Sequence, residues 1–171
     1  MDDLGALCRD VPGFPREGII FKDITPLLRD GEKFRGIIDQ FAARYRGKRV
    51  DVVVSVEARG FIIGPAIAYK LGAGVVPVRK KGKLPWHCYQ ATYDLEYGTD
   101  TLEIHQDAIK PGEKVLIVDD LLATGGTVGA VIKLVERLKG EIVEVAFLIE
   151  LAALRGREQI KGYPVFSLIR S

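Results

Sequence analysis

The 171-residue sequence lacks the features that mark secreted, metal-binding or membrane proteins. Its two cysteines, Cys8 and Cys88, stand far apart and match no metal-binding spacing. We therefore expect two reduced thiols, which favours a cytoplasmic location. The first residues are acidic and contain no apolar run of signal-peptide length, and no apolar run approaches the roughly 20 residues that cross a bilayer. The sequence thus predicts neither secretion nor a membrane anchor.

A strong charge of one sign is also missing. Lysine and arginine number 25 against 23 aspartates and glutamates, a net charge of +2. This balance is too small to favour nucleic acid or an anionic membrane as a partner. Hydrophobic residues make up 47% of the chain and charged residues 28%, which is typical of a folded chain with a core. The length predicts one domain over residues 1–171.

Apolar periodicity predicts strands that alternate with helices. Helical spacing runs from Phe34 to Tyr45, and residues 61–72 and 127–140 predict two further helices that glycines stop. Residues 91–105 alternate around the turn "YGTD" and predict a hairpin or flap. Short apolar runs predict buried strands at 50–56, 74–80, 114–120 and 141–151. This order favours an α/β fold, an open and mostly parallel sheet with helices on both faces.

Residues 12–28, "PGFPREGIIFKDITPLL", fit neither period because three prolines and two glycines interrupt them. We interpret this segment as an ordered cap over one end of the sheet.

The stretch "VLIVDDLLATGGT" concentrates unusual residues after a predicted strand. Ligands of open α/β sheets bind beyond the carboxyl ends of the strands, where Asp119 and Asp120 lie. The loop Ala123–Thr127 then offers consecutive backbone N–H groups at the positive end of a helix, and its glycines let an anion approach closely. A polar turn with a helix cap is the alternative. We favour a phosphate site because adjacent carboxylates repel each other unless a ligand compensates them.

Two familiar phosphate loops are absent from the sequence, since neither G-x-x-x-x-G-K-[ST] nor G-x-G-x-x-G follows a strand. Instead, "VLIVDDLLATGGT" resembles the 5-phosphoribosyl-1-pyrophosphate (PRPP) motif of the type I phosphoribosyltransferases. Further segments resemble that family in its order and cover nearly the whole chain, most closely its members that use adenine. They are "PGFPREGIIFKDITPLL", "EARGFIIGPAIA", "VRKKGKLP", "LEYGTDTLEIHQDAI" and "LIELAALRGRE".

The resemblance implies a transferase that joins adenine to the ribose of PRPP and releases AMP and pyrophosphate. It implies Mg²⁺ as cofactor, bound mainly through PRPP rather than by protein side chains. Residues 12–28 would form a hood over the base, and residues 80–105 a flexible loop and flap. A homodimer is implied, in which Arg79 or Lys83 reaches the neighbouring site.

The resemblance also implies roles for single residues around PRPP. The 5′-phosphate would bind Ala123, Thr124, Gly125, Gly126 and Thr127, while Asp119 and Asp120 face the ribose hydroxyls. Arg59, which follows a cis peptide between Glu57 and Ala58, would bind the pyrophosphate together with Arg79 and Lys83.

The remaining implied roles concern the base. Phe21 would stack on adenine between the Ile20 carbonyl and the Lys22 N–H, and Leu151 would form an apolar wall. Glu96 is the family's candidate for proton exchange with the purine ring, and Tyr97 belongs to the flap.

Structural explanations remain open for several of these positions. Arg59 fits a surface arginine, the Arg79–Lys83 stretch a solvated basic loop, and Glu96 an exposed hairpin residue. Phe21 and Leu151 fit ordinary core residues. Trp86 and His87 match no pattern, and we expect them to be loop residues without a catalytic role.

Two other functions compete with the adenine reaction. The first is transfer to a 6-oxopurine such as hypoxanthine, guanine or xanthine, against which residues 12–28 argue. The second is a non-catalytic regulator that senses PRPP. Such regulators append a DNA-binding region, for which the predicted elements leave no room.

Overall fold

The computed structural model describes residues 4–94 and 98–171. Thirteen regular strands and helices lie within these ranges, besides short 3₁₀ turns. The strands are β1 (Arg9–Pro12), β2 (Ile20–Asp23), β3 (Val52–Val56), β4 (Gly74–Lys80), β5 (Cys88–Asp94), β6 (Thr99–His105), β7 (Lys114–Leu122), β8 (Glu141–Glu150) and β9 (Val165–Arg170). The helices are α1 (Thr25–Arg29), α2 (Gly31–Tyr45), α3 (Gly60–Leu71) and α4 (Gly126–Arg137).

A central sheet organises the described part of the chain, with seven strands in the order β5-β6-β4-β3-β7-β8-β9. Strands β4, β3, β7, β8 and β9 run parallel, whereas β5 and β6 form an antiparallel hairpin at one edge. The sheet is therefore open and mostly parallel, as the sequence predicted. The hairpin predicted over residues 91–105 is confirmed and begins three residues earlier, at Cys88.

Both faces of the sheet are covered, because successive side chains of a strand point to opposite sides. Val53 and Leu116 pack with α1, α2 and α3, and their neighbours Val54 and Val115 pack with α4 on the other side. Strands buried in this way read as continuous apolar runs, which is why periodicity could locate them. The prediction of helices on both faces is confirmed.

One helix boundary and one strand of the central sheet differ from expectation. Helix α4 ends at Arg137 rather than at a stopping glycine, and Lys139 takes the left-handed conformation at φ 62°. Glycine is required at position 140 because there is no room for a side chain: a Cβ there would lie 2.9 Å from side-chain atoms of Val115 and Val135. Strand β9 was not predicted, because its half-buried residues at the sheet edge give a weak pattern.

The N-terminal segment is a hairpin followed by a short helix. Strands β1 and β2 pair antiparallel, with Val11 opposite Phe21. Ile24 and Leu27, which follow β2, are buried in the core beneath α2. This packing attaches the segment to the sheet and agrees with the ordered cap expected at 12–28.

A buried ion pair joins α2 to β8. The Arg44 guanidinium donates to both oxygens of Glu144, at 2.8 and 2.6 Å, and the Tyr45 hydroxyl donates to the same carboxylate at 2.7 Å. Glu144 is 4% exposed. Burial opposes its ionisation, but the hydrogen bonds from Arg44 and Tyr45 hold the pKa of this carboxyl below its usual value.

Replacing Arg44 with methionine should destabilise the protein strongly, because it leaves a buried carboxylate without its cation. We expect the free energy of unfolding to fall by about 3 kcal/mol, near the lower bound for buried pairs since Arg44 reaches solvent. Urea denaturation measures the change. Replacing both residues, Arg44→Met with Glu144→Gln, should recover most of the loss, because glutamine has no charge and keeps an acceptor for the Tyr45 hydroxyl. An equal loss in the double variant would contradict this account.

No helix in residues 4–94 and 98–171 is long and apolar enough to cross a membrane.

Candidate active site

The chain changes direction across the sheet beside β3, which places two strand ends next to each other. From β3 the chain passes through α3 to β4 on one side, whereas β7 pairs with the other side of β3. Ligands of open α/β sheets bind in the crevice at such a point. Glu57, Ala58 and Arg59 follow β3 here, and Asp119 and Asp120 lie near the end of β7.

Helix α3 approaches β7 closely because Gly60 has no side chain. A Cβ at this position would lie 2.9 Å from Oδ1 of Asp119 and 3.3 Å from the Val118 carbonyl oxygen. The sequence thus brings the start of α3, and Arg59 before it, against the two acids. The cis peptide expected between Glu57 and Ala58 is confirmed in the same turn.

Asp119 and Asp120 are 8% and 6% exposed, so two neighbouring carboxylates share a buried site. Burial, reinforced by the charge of Asp120, raises the pKa of Asp119 well above its usual value. The backbone N–H of Asp120 donates to Asp119 Oδ1 at 2.9 Å. Arg59 donates from Nε to the Asp120 carboxylate and forms an ion pair with it. Arg59 therefore compensates Asp120 and leaves Asp119 crowded.

The loop Ala123–Thr127 joins β7 to α4 at the predicted place. Gly125 caps the helix at φ 90°, with no side-chain cap, and α4 begins at Gly126. Its first backbone N–H groups therefore lie at the positive end of the helix dipole. This arrangement suits an anion without requiring a cationic side chain.

A cavity of about 410 Å³ lies between these elements. Its lining includes Arg59, both acids and the loop Ala123–Thr127, and Glu57, Lys80 and Tyr93 contribute from neighbouring elements. Carboxylates, cations and free N–H groups thus converge in one space. Such a space fits a ligand that carries hydroxyls together with phosphates.

The basic stretch after β4 folds onto Glu57. The Arg79 guanidinium lies 3.3 Å from both oxygens of this carboxylate, and the Lys83 ammonium lies 3.4 Å from one of them. The backbone N–H of Lys80 donates to it at 3.0 Å. Burial disfavours the charged form, yet these partners hold the pKa of Glu57 below its usual value. Arg79 and Lys83 therefore lie beside the cavity, with their charges directed at an acid of the same chain.

The hood presents a backbone edge next to an aromatic ring. The Gly13 N–H donates to the Ile19 carbonyl at 2.7 Å, so alternation makes Val11 and Phe21 the next hydrogen-bonded pair. The Ile20 carbonyl and the Lys22 N–H consequently point away from β1. No second strand pairs with β2 in the described ranges.

The residues of this edge differ in the surroundings of their side chains. Phe21 lies edge-on to Phe14 at 5.2 Å between ring centroids, and the Arg59 guanidinium lies 4.9 Å from the Phe21 centroid. The Ile20 side chain is 59% exposed, and Lys22 pairs with Asp10 at 2.6 Å. Arg59 therefore connects the hood to the two acids of the cavity.

Leu151 follows β8 at the same end of the sheet. Its N–H donates to the Leu122 carbonyl at 2.9 Å, and its side chain is half-buried against the core. Glu96 and Tyr97 lie outside the described residues. His87 lies beside Trp86, at 5.1 Å between ring centroids, and is absent from the cavity lining.

Sequence reasoning missed three residues at this cavity: Glu57 as a partner of the basic loop, Lys80, and Tyr93. Burial and the charge of Asp100 raise the pKa of the Tyr93 hydroxyl, while its hydrogen bond with Thr127 opposes that rise. The alternation of residues 91–105 was the signal that could have indicated Tyr93, which lies on one side of that pattern. Nothing in the pattern around Glu57 indicates its partners, because they come from another strand.

Comparison with known proteins agrees with this geometry. Residues 27–171 match the family described as "Phosphoribosyl transferase domain". The curated adenine phosphoribosyltransferase of Trichlorobacter lovleyi is 61% identical over 170 residues, which cover 99% of each chain. The crystal structure of adenine phosphoribosyltransferase from Thermoanaerobacter pseudethanolicus superposes with a TM-score of 0.96, at 49% identity over 99% of both chains.

A third relative is described with ligands. The adenine phosphoribosyltransferase of Saccharomyces cerevisiae, crystallised with an imino-altritol bisphosphate and adenine, superposes with a TM-score of 0.90 at 43% identity over 96% of both chains. The family match, the identity over the full length and the shared fold all agree with the presence of the PRPP motif at the cavity. The chain therefore belongs to the phosphoribosyltransferase family, among its adenine phosphoribosyltransferases.

Proposed function

We propose that this protein transfers the 5-phosphoribosyl group from PRPP to adenine and releases AMP and pyrophosphate. The observation that carries the proposal is the shared cavity of Asp119, Asp120 and the loop Ala123–Thr127, in a chain 61% identical to a curated adenine phosphoribosyltransferase. A bisphosphorylated sugar needs an anion site, hydroxyl acceptors and cations in one space. The cavity supplies all three.

In this proposal the loop binds the 5′-phosphate and the two acids accept hydrogen bonds from the ribose hydroxyls. Positive charge develops on the ribose as pyrophosphate leaves, and buried carboxylates nearby stabilise it. Arg59 exchanges its partner Asp120 for the pyrophosphate. That exchange frees Asp120 for the sugar at the moment when an anion arrives.

Arg79 and Lys83 are proposed to bind the pyrophosphate as well, after release from Glu57. Because Glu57 holds both cations beside the cavity, a polyanion competes directly with one carboxylate for them.

We further propose a homodimer in which Arg79 or Lys83 reaches the neighbouring site. Exposed apolar side chains on one face of α3, Ile62 at 45% and Tyr69 at 86%, support a surface for a second copy. Sedimentation equilibrium measures the mass.

Mg²⁺ is proposed as the cofactor and is expected to bind mainly through PRPP. Among the described residues no three His, Cys, Asp or Glu side chains come together as a metal-ligand set. Magnesium commonly combines one or two carboxylates with substrate phosphates, and Asp119, Asp120 and Glu57 offer such carboxylates in the cavity. Bound there, the ion would neutralise charge on the leaving pyrophosphate.

Chelation should therefore stop AMP formation. We expect activity to vanish in excess EDTA and to return when Mg²⁺ is restored above the chelator. Circular dichroism in EDTA serves as the control, because the fold itself requires no metal in this account. Full activity in EDTA would disprove the role of the metal.

Glu96 is proposed to exchange a proton with the purine ring, a role that rests on the family resemblance. Glu96→Gln should lower kcat at least about 10²-fold while the affinity for PRPP stays close to that of the parent, since its partner is the base. Single-turnover measurements separate chemistry from product release. A variant that forms AMP as fast as the parent in a single turnover would remove Glu96 from the reaction.

The test of function is a substrate panel. The protein is mixed with PRPP, Mg²⁺ and adenine, hypoxanthine, guanine or xanthine separately, and nucleotide and pyrophosphate are measured. AMP from adenine is the expected product. Nucleotide from a 6-oxopurine instead would support the other salvage reaction, and salt-dependent DNA binding without any nucleotide would support a regulator. Cys8 and Cys88 form no disulfide within the described residues, and this supports the cytoplasmic location that we propose.

A further inference from the structure

The phosphate loop rests against a second piece of backbone, the 3₁₀ turn Gly156–Ile160. A Cβ on Gly125 would lie 2.5 Å from the Gly156 carbonyl oxygen, and a Cβ on Gly156 would lie 2.2 Å from the Ala123 carbonyl oxygen. Only glycine permits such distances at both positions. The two backbones are thus in direct contact, and the position of the turn sets the position of the loop.

Arg157 fixes that turn to the sheet. Its Nε and Nη2 atoms each donate to a carboxylate oxygen of Glu150 at 2.7 Å, and Nη1 donates to the Val165 carbonyl at 3.2 Å. Glu150 is 3% exposed and ends β8. The hydrogen bonds from Arg157 outweigh burial and hold the pKa of Glu150 below its usual value. The pair is therefore charged and bidentate, which makes it both strong and directional.

We infer that Arg157 and Glu150 are positioning residues for substrate binding. They hold the 3₁₀ turn behind the phosphate loop and thereby align the N–H groups of Ala123–Thr127. Leu151, the proposed wall of the base site, directly follows Glu150, so the same ion pair lies next to the loop support and next to this proposed wall. The inference rests on the proposed function, because it assumes that this loop holds the 5′-phosphate.

The variant Arg157→Lys tests this role. Lysine keeps the charge but cannot reproduce the planar fork that reaches both Glu150 oxygens and Val165 together. We expect the Kd for ribose 5-phosphate and the KM for PRPP to rise about tenfold, since small displacements of binding groups weaken a site strongly. At saturating PRPP, kcat should stay close to that of the parent, because the lost interaction is one of binding.

Arg44→Lys is the matched control. Arg44 makes the same bidentate pair with Glu144, which is also buried and also lies on β8. Arg44 itself lies on α2 and contacts Phe166 of β9 rather than the loop Ala123–Thr127. Both variants should melt at a lower temperature than the parent. Only Arg157→Lys should lose affinity for ribose 5-phosphate, which calorimetric titration measures well below both melting temperatures.

The outcomes separate the positioning role from stability alone. Ribose 5-phosphate affinity like that of the parent in Arg157→Lys, or an equal loss in Arg44→Lys, would overturn the inference. Should Arg157→Lys fail to fold, Glu150→Gln takes its place, with weaker binding expected and unchanged binding again contradicting it. If the parent forms AMP in the substrate panel but binds no ribose 5-phosphate, the inference alone fails; if it forms no nucleotide, the proposed function fails and the inference fails with it.

Discussion

Asp119→Asn should abolish most AMP synthesis while making the folded protein more stable. The carboxylate is proposed to accept a ribose hydroxyl and to oppose the charge that develops on the sugar. Its loss should lower kcat/KM on the order of 10³-fold. The amide keeps an oxygen that can accept the Asp120 N–H, as Asp119 Oδ1 does at 2.9 Å. It cannot ionise, so the cost of burying a charged group at this position disappears.

The gain in stability should depend on pH in a defined direction. Because the native pKa of Asp119 lies above that of the unfolded chain, the native state retains a proton that the unfolded state has already lost. This difference destabilises the parent increasingly as pH rises from about 4 towards the raised native value. The melting temperature of Asp119→Asn should therefore exceed that of the parent at neutral pH, and the difference should shrink as pH falls to about 4.

Asp120→Asn is the matched comparison, since its carboxylate already has Arg59 as a partner. It should lose activity as Asp119→Asn does but gain no stability. Unfolded variants by circular dichroism would show that the acids are structural, and a melting difference independent of pH would show that Asp119 carries no burial penalty. Either result would remove the electrostatic argument for the site.

Local patterns were sufficient for most of the fold. The run at 50–56 contains β3 from Val52 to Val56, because a strand buried on both faces is largely apolar. The helix predicted from Phe34 to Tyr45 was found with Asp30 as its N-cap, which accepts from two backbone N–H groups. The weakly buried β9 had no such signature.

The position of the loop Ala123–Thr127 could be predicted from sequence because the acids before it and its own glycines and hydroxyls are contiguous. The contacts that surround this loop could not be predicted in that way. Arg59 meets Asp120 across 61 residues of sequence and Arg79 meets Glu57 across 22, distances over which periodicity carries no information. The contact of Gly125 with Gly156 is likewise a product of tertiary packing. Such pairs decide the electrostatics and the alignment of the site, so the structure was needed to see that Arg59 pairs with Asp120.

The parent protein should prefer adenine over hypoxanthine by on the order of 10²–10⁴-fold in kcat/KM. Adenine offers an N6 donor beside an N1 acceptor, whereas hypoxanthine presents the O6 acceptor beside an N1–H donor. The Ile20 carbonyl and the Lys22 N–H share the open edge of β2 and match the first pattern. Each mismatched buried polar group costs roughly 1–3 kcal/mol, and hypoxanthine reverses both.

Three substitutions in the hood locate the source of this preference. Lys22→Ala should retain it, because the Lys22 side chain pairs with Asp10 and only its backbone is proposed to bind the base. Lys22→Pro removes the N–H of Lys22, which does not donate to β1, so the strand should tolerate proline. The preference for adenine should nevertheless fall in this variant. Phe21→Ala should weaken binding of either base by removing the stacking ring. Equal kcat/KM for adenine and hypoxanthine in the parent, or full preference in Lys22→Pro, would show that the backbone edge does not select the base.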